Sequence, residues 1–466
     1  MEGLEATEIT YKESKLAEVS FRLDSEFFSK DILRDFQKIE ETYPQKLGKL
    51  YKRIDVGYVG SMVSQYQNTG INLLQTKNVD EFFINDQEPP KISIEFHNQL
   101  TKSQIRNGDI LIARSGSFGK ASIFLEDQPT NSADIIIISN HVKNINSFFT
   151  TAFLNCKFGK SQLIRYASGG LQGHINLTIL ENLLIPTKFN LLAIQIEIII
   201  KNANNKLCNS KYIYRQTEQL LLKTLGLENW QPTPALSYER KSSEVFAAGR
   251  FDAEFFLPKI IQLIKLLNKD KLTIQDVAPV RHERFKPNQS GTFEYIEISG
   301  LQPDGTALAE TTEHQEAPSR ATWYVKAGDV ITSTVRPIRS LSAIISNEQE
   351  DFICSSGFVV LNPTEVASEV LLTYLKLPLV CELMDLYTSA SLYPAISESD
   401  LLGLPFPKVD QKVQQEIIQK IQKSREQKQY SIKLLEAAKR AVEIAIEDSE
   451  AAALAYLQPF LQDETP

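Results

Sequence analysis

Cysteine is scarce in this chain and never closely spaced. Cys156, Cys208, Cys354 and Cys381 are the only four in 466 residues, and no CxxC occurs. That spacing argues against a zinc framework or a disulfide scaffold and fits reduced thiols in a cytoplasmic protein. The five histidines (His97, His141, His174, His282 and His314) show no HExxH or other ligand spacing. No apolar run approaches the roughly 20 residues needed to cross a bilayer. The first residues, MEGLEATE, are acidic where a secretory signal is basic and then apolar. Catalytic signatures are missing as well. No GxGxxG opens a helix after a strand, no GxSxG elbow occurs, and the Asn/Asp-Pro-Pro-aromatic signature of amino-methyltransferases is absent. The run Gly116 to Lys120 resembles a phosphate loop, but its spacing is short and Ala121 stands where Ser or Thr would hold a metal. Two readings without a named activity stay open: an enzyme whose site has no familiar signature, and a coiled-coil scaffold that binds only protein.

The bulk composition is that of an ordinary globular protein, with 42% hydrophobic and 23% charged residues. The length allows several domains with proper cores. The net charge of −8 is unevenly spread. Residues 1–8 carry three acids and no base, and residues 441–466 carry six acids and no base. These nine acids exceed the whole imbalance, so the body of the chain is near neutral and can still present a local basic groove.

Two long helical patterns organise the rest. In the first, Ile200, Ala203, Leu207, Ser210, Tyr214, Thr217 and Leu221 fall at steps of three and four, a heptad stripe along one face. Such a stripe needs a partner, because a lone amphipathic helix is unstable in water. Ile417, Ile421, Ser424, Lys428, Ser431, Leu435, Ala438, Val442 and Ala445 form a second stripe of the same spacing. The two predict helices packed on each other. Asn202, Asn204, Asn205 and Asn209 weaken the first as a helix former, and Ile196 to Ile200 alone also reads as a strand.

The rest of the chain is written twice. Arg22, Asp24, Glu26 and Phe27 are answered by Arg250, Asp252, Glu254 and Phe255, a shift of 228. The plain reading of this block is a structural corner, with the phenylalanines packed and Arg and Asp paired. Gly108-Asp109 is matched by Gly328-Asp329, each a turn feeding an apolar strand. Residues 175–186 match 396–407, each a short helix running into a strand that ends at proline, and a long helix follows both. A repeat of roughly 220 residues is too long for a solenoid unit and describes a domain plus its helix, used twice. Between the copies, Trp230, Pro232 and Pro234 interrupt the helical pattern.

What varies between the copies is polar and loop-borne. Arg114, Ser115, Ser117 and Lys120 follow the first Gly-Asp strand, whereas Arg336, Arg339 and Ser340 follow the second. Further on, residues 168–174 include Gln172 and His174, and residues 389–393 include Ser391 and Tyr393. Two scaffolds alike in framework and unlike in loops suggest two binding surfaces tuned to different targets. Arg, Lys, Gln, Asn and Ser are side chains that read base edges and hold phosphates. Solvated loops with no ligand would look the same by composition.

This tandem pattern resembles the specificity subunit of type I restriction-modification systems. The resemblance is carried by the two Arg-x-Asp-x-Glu-Phe blocks at Arg22 and Arg250, by the two Gly-Asp turns and by the two helix-strand-Pro-helix blocks, over about residues 10–446. It implies an α+β (mixed α/β) fold: two tandem target recognition domains separated by a pair of long antiparallel coiled-coil helices, with a pseudo-two-fold internal repeat. The implied division is 1–190 for the first recognition domain, 191–225 for a central spacer helix and 226–234 for a linker. Residues 235–410 are then the second recognition domain, 411–448 a distal spacer helix, and 449–466 an acidic C-terminal tail without a counterpart. At about 1.5 Å per residue the 191–225 helix would span roughly 50 Å, more than one turn of B-DNA.

The function implied is that of a non-catalytic, cytoplasmic subunit reading a bipartite site in double-stranded DNA. Its implied partners are methyltransferase (modification) subunits, two of them, and restriction or motor subunits. No cofactor is expected on this chain; S-adenosylmethionine, ATP and Mg are expected on the partners. The specificity component of a related, type IIB-like modification system is the neighbouring alternative. Arg114, Ser115, Ser117, Lys120, Gln172 and His174 are the expected DNA contacts of the first half, and Arg336, Arg339, Ser391 and Tyr393 those of the second. Half two departs from half one at Arg336 to Arg339, where the Gly-rich loop is missing.

Overall fold

The computed structural model describes residues 8, 27–114, 119–141, 145–166, 175–232, 236–288, 290–389 and 392–462. Its chain mixes helix and strand in open sheets and divides into two compact units. The first comprises Met1–Leu207 with Gln429–Pro466, and the second comprises Cys208–Lys428. Arg22, Asp24 and Glu26 lie outside the described residues.

The first unit is built on strands that cannot expose either face. Ile135 to Ile138 are four successive isoleucines, all buried, on a strand paired antiparallel with the equally buried Ile110–Ala113. Because side chains alternate across a strand, the run serves two cores. Ile110, Ile112, Ile136 and Ile138 join the core shared with the helices. Leu111, Ala113, Ile135 and Ile137 join another, with Leu74 and Ile105 of a second sheet and the neighbouring Val79. The central sheet has the order Tyr51–Val56, Ile135–His141, Ile110–Ala113, Ala121–Ile123. The second has the order Lys91–Ile92, Ile71–Gln75, Thr130–Ala133, Gln104–Ile105, with its middle pair parallel. The result is a helical layer, a central sheet and a covering sheet.

The second unit repeats this plan. Val330, Val359 and Leu361 face a core with helices, while Ile331, Phe358 and Val360 face a core with Ile296 and Cys354 of the other sheet. That covering sheet again has a parallel pair at its centre, Thr292–Ile296 beside Ile353–Ser355. Hydrogen bonds recur at shifted positions. Gly108 N donates to Phe124 O as Gly328 N does to Ile345 O, and Ile175 N donates to Arg114 O as Ile396 N does to Thr334 O.

The Gly-Asp turn explains its own duplication. Gly108 and Gly328 hold φ of 88° and 84°, a region that disfavours a side chain. Asp109 and Asp329 are buried, and their carboxylates accept the backbone N–H of Arg106 and Lys326 at 2.9 and 2.8 Å. Each is also approached by an arginine 228 residues from its counterpart: Arg53 lies 3.7 Å from Asp109, and Arg281 clamps Asp329 with two bonds of 2.8 and 3.1 Å. Burial raises the Asp109 carboxyl above its ordinary value, against the pull of the Arg106 N–H and Arg53. The bond to Asp329 raises the Arg281 guanidinium.

The Arg-x-Asp-x-Glu-Phe block of the second unit is a corner, as its composition predicts. Arg250 Nε reaches Asp252 at 2.7 Å, Asp252 accepts the Phe255 N–H, and Phe255 stands edge-on to Tyr387 at 5.4 Å. The first unit keeps the same ring contact between Phe27 and Tyr166, at 5.8 Å.

Both predicted long helices form, as Asn190–Thr224 and Gln411–Glu447. The Ile196 to Ile200 run is helical. The asparagines do not break the first helix, because its stripe is buried: Ile200, Ala203, Thr217 and Leu221 are all fully covered. Neither helix is a separate body, since each passes from one unit into the other. Within the first unit, Ser431 Oγ donates to Ala203 O at 2.7 Å and Lys206 lies over the Tyr430 ring, so the segments run antiparallel. Within the second, Ser210 and Ser424 exchange hydroxyl-to-carbonyl bonds of 2.7 and 2.9 Å. These small hydroxyls satisfy themselves locally and let the helices approach closely.

Two expectations are corrected at the chain's joints. The segment read as an acidic tail forms a helix, Glu450–Gln462, whose Ala453 and Leu457 are buried in the first unit's core. Its Glu450 carboxylate accepts the Leu192 N–H at 2.9 Å, satisfying a donor at the start of the long helix. The segment read as a linker begins by packing: Leu227 is buried and Trp230 lies against the second unit's core.

The Asp329 clamp predicts a measurable asymmetry in stability. Arg281→Ala leaves a fully buried carboxylate without its cation and should cost about 3 kcal/mol in urea unfolding of the full chain. Lys420→Ala, which removes a more exposed pair with Glu416 at 3.7 Å, should cost under about 1 kcal/mol. Equal costs would contradict the structural role given to the clamp.

Candidate nucleic-acid interface

In each unit the strand after the Gly-Asp turn delivers a polar loop to the same place. In the first unit this is the hairpin between Ile110–Ala113 and Ala121–Ile123. Ala113 N donates to Lys120 O at 3.1 Å, and Gly119, at φ 86°, returns its N–H to Ala113 O at 3.2 Å. Arg114 O accepts the Ile175 N–H at 3.4 Å, which brings the chain following residues 167–174 to the hairpin. Ser115, Ser117, Gln172 and His174 lie outside the described residues.

Arg114 and Lys120 are described, and both are held by carboxylates. Arg114 Nη1 lies 2.8 Å from Asp134 Oδ1, and Lys120 Nζ lies 2.8 Å from Asp80 Oδ1. Asp134 is a fixed anchor in a left-handed conformation (φ 55°). Its N–H donates to Tyr58 O, and its carbonyl accepts the Thr76 hydroxyl. Arg114 keeps about a third of its side chain exposed. A guanidinium has five donors, so an arginine aimed by one carboxylate still presents a fork to a base edge or a phosphate.

In the second unit the structure brings together three of the four expected residues. Arg336 and Ser340 bracket a single 3-10 turn, Pro337–Arg339, and both are left-handed, with φ of 51° and 56°. The chain around Tyr393 lies alongside: Arg336 N donates to Pro394 O at 2.8 Å, and Val335 bridges Ala395. The Arg336 guanidinium sits 5.4 Å from the centre of the Tyr393 ring and reaches Leu392 O at 3.3 Å. Tyr393, Leu392 and Ile338 are strongly exposed, at 71%, 80% and 56%. Arg339 is exposed beside them. Arginine, aromatic and aliphatic groups together on an open surface can contact base edges, stack and touch a thymine methyl. Ser391 lies outside the described residues.

Sequence reasoning missed two neighbours of this loop. Arg320 is exposed at a turn whose carbonyl accepts the Ser356 N–H at 2.7 Å, next to the Thr334 N to Gly357 O bond of 2.9 Å that anchors the loop. Lys376 supports the loop from beneath, its Nζ donating to Ser340 O at 2.7 Å. No local pattern marks either one. Arg320 sits at the start of a strand, and Lys376 reads as an ordinary basic residue in a helix's last turn.

Among the described residues, no group of three or more His, Cys, Asp or Glu side chains could hold a metal ion. The Cys156 thiol is buried and pushed up to about 12 by that burial, the reverse of an activated nucleophile. No described helix is long and apolar enough to cross a membrane.

The paired left-handed residues yield a test. Arg336→Gly removes a side chain from a position that favours glycine, so stability should stay level or rise by up to about 1 kcal/mol. A nucleic-acid-reading role for the loop requires DNA binding by the same variant to weaken. A clear loss of thermal stability would show that Arg336 serves packing rather than a ligand.

No family model and no curated protein matches this chain. Solved structures similar to it include three from type I restriction-modification systems. The S subunit of a type I restriction-modification system from M. genitalium is 13% identical, with 89% of this chain and 95% of that one covered and a TM-score of 0.34. A chain solved in a study of complex assembly and conformational transition of the type I R-M system is 14% identical, with 87% and 97% covered and a TM-score of 0.31. The HsdS subunit from Thermoanaerobacter tengcongensis is 14% identical, with 87% and 95% covered and a TM-score of 0.27.

Proposed function

We propose that this chain is a DNA sequence-recognition subunit without catalysis of its own, the specificity subunit of a type I restriction-modification complex. Each unit reads one half of a split target, the first through the Arg114 and Lys120 hairpin and the second through Arg336, Arg339 and Tyr393. One observation carries the reading: the same frame, with the same hydrogen bonds at shifted positions, presents chemically different loops at the same place. A protein that needed two identical sites would repeat its loops with its frame. One that needed no ligand would have no use for an arginine held against an exposed tyrosine ring at the mouth of a strained turn.

The sequence resemblance names the setting. Methyltransferase subunits, two of them, and restriction or motor subunits would dock on the long helices and recognition domains. S-adenosylmethionine, ATP and Mg would sit on those partners, and the complex would work in the cytoplasm. The two long helices would space the two readers, with residues 1–190 and 235–410 as the exchangeable recognition domains.

Exchange is the experiment. Replacing residues 235–410 by the matching domain of a relative should change one half of the methylated DNA site and leave the other half as it was. A simultaneous change in both halves contradicts two separate readers, and no sequence preference in either protein contradicts the DNA role itself.

A point variant tests the first unit. Arg114→Ala should weaken binding to the target by about 1–3 kcal/mol, the worth of a bidentate base contact, with the loss confined to one half-site. Equal weakening on every sequence would assign Arg114 to phosphate, and would also lower the salt dependence of binding.

A further inference from the structure

A lysine buried without a direct ion pair is costly to keep. Lys376 is 7% exposed at the end of the helix Ser368–Lys376, and burial lowers its ammonium below the ordinary lysine range. Glu218 and Asp304 act on it through space and pull its ammonium back up, but among the described residues no acid comes within ion-pair distance to take its hydrogen bonds. Its side chain is spent on a carbonyl of the candidate recognition loop: Nζ donates to Ser340 O at 2.7 Å, and Ser340 Oγ returns a bond to Lys376 O at 3.3 Å. Ser340 is where that loop most needs holding. It closes the turn that Arg336 opens, and both are non-glycine residues in the left-handed region. Such conformations persist only where their surroundings over-determine them. Pro394 O fixes the Arg336 end through the backbone, and Lys376 fixes the Ser340 end.

The first unit uses the same helical position for the same purpose with different chemistry. Asn155 stands 221 residues earlier, also last in a nine-residue helix. Its amide brackets Ala121 at the exit of the Arg114 hairpin, with Nδ2 to Ala121 O at 2.7 Å and Ala121 N to Oδ1 at 3.1 Å. Unlike Lys376, a neutral amide is satisfied there by two complementary bonds.

We infer that Lys376 is a positioning residue for the recognition loop of the second unit: it locks the Arg336–Ser340 turn so that Arg336 and Arg339 meet DNA in one geometry, and so sets the discrimination of one half-site. The inference rests on the reading of this loop as a DNA reader, and its test separates the two.

The test compares full-length wild type, Lys376→Met and Lys376→Gln in two measurements. Hydrogen exchange without DNA follows the amides of Arg339 and Ser340, which close the turn onto Arg336 O and Pro337 O. Competition binding follows discrimination at each half-site. Lys376→Met should speed exchange of these amides at least tenfold while the amides of the central sheet stay protected. It should lower discrimination at one half-site by about tenfold and leave the other unchanged. Lys376→Gln, which keeps a donor, should restore most of both. Unchanged exchange at the turn overturns the inference whatever DNA does. So does faster exchange spread through the whole unit in both variants, or full discrimination despite a loosened turn. A wild-type chain that discriminates no half-site instead refutes the DNA-reading function, and does so independently of the exchange data.

Discussion

Ile135, Ile136, Ile137 and Ile138 leave their strand no face that water can touch, and the arrangement around them follows from covering both sides. One side takes helices, including part of each long helix, and the other takes a second sheet. Val330 to Ser333 and Phe358 to Leu361 impose the same demand on the second unit. With both faces closed, these central strands meet solvent only at their ends and the turns joining them. The variable loops lie there in both units, because sequence can change there without opening a core. The buried Asp109 and Asp329, each capping a tight glycine turn and facing an arginine, fix where the strand begins and therefore where its loop emerges.

The parts legible in the sequence are those whose signal is local or periodic. The stripe from Ile200 to Leu221 marks a buried helix face despite four nearby asparagines, since burial of the stripe outweighs weak propensity. The Gly-Asp pairs mark turns because backbone geometry requires the glycine and an unsatisfied N–H requires the carboxylate. The partners of the loop residues were not legible. Asp134 holds Arg114 from the bend between Thr130–Ala133 and Ile135–His141, and Asp80 holds Lys120 across 40 residues. Lys376 could be linked to Ser340 only by folding, and the left-handed Arg336 has no signature because arginine is not a residue that favours that region. The final segment reads as a tail because its acids outweigh its short apolar spacing, yet Ala453 and Leu457, with Leu454, Phe460 and Leu461, pack it on the first unit's core.

The two loops solve one problem differently. In the first unit, carboxylates at 2.8 Å aim Arg114 and Lys120. In the second, a strained turn, a tyrosine ring and a buried lysine aim Arg336. Both devices restrict a long flexible side chain before any ligand arrives, which reduces the entropy lost on binding. Rigid placement on a repeated frame is what a reader of sequence requires, because a base edge is distinguished from its neighbours by hydrogen-bond geometry.

The central claim is that one chain carries two readers of different sequence. Selection of bound duplexes from a random pool by the full-length protein with its modification partners tests it most directly. The account predicts two short, dissimilar sequence blocks separated by a gap of fixed length with no base preference. A single uninterrupted block, two identical blocks, or no enrichment would contradict it.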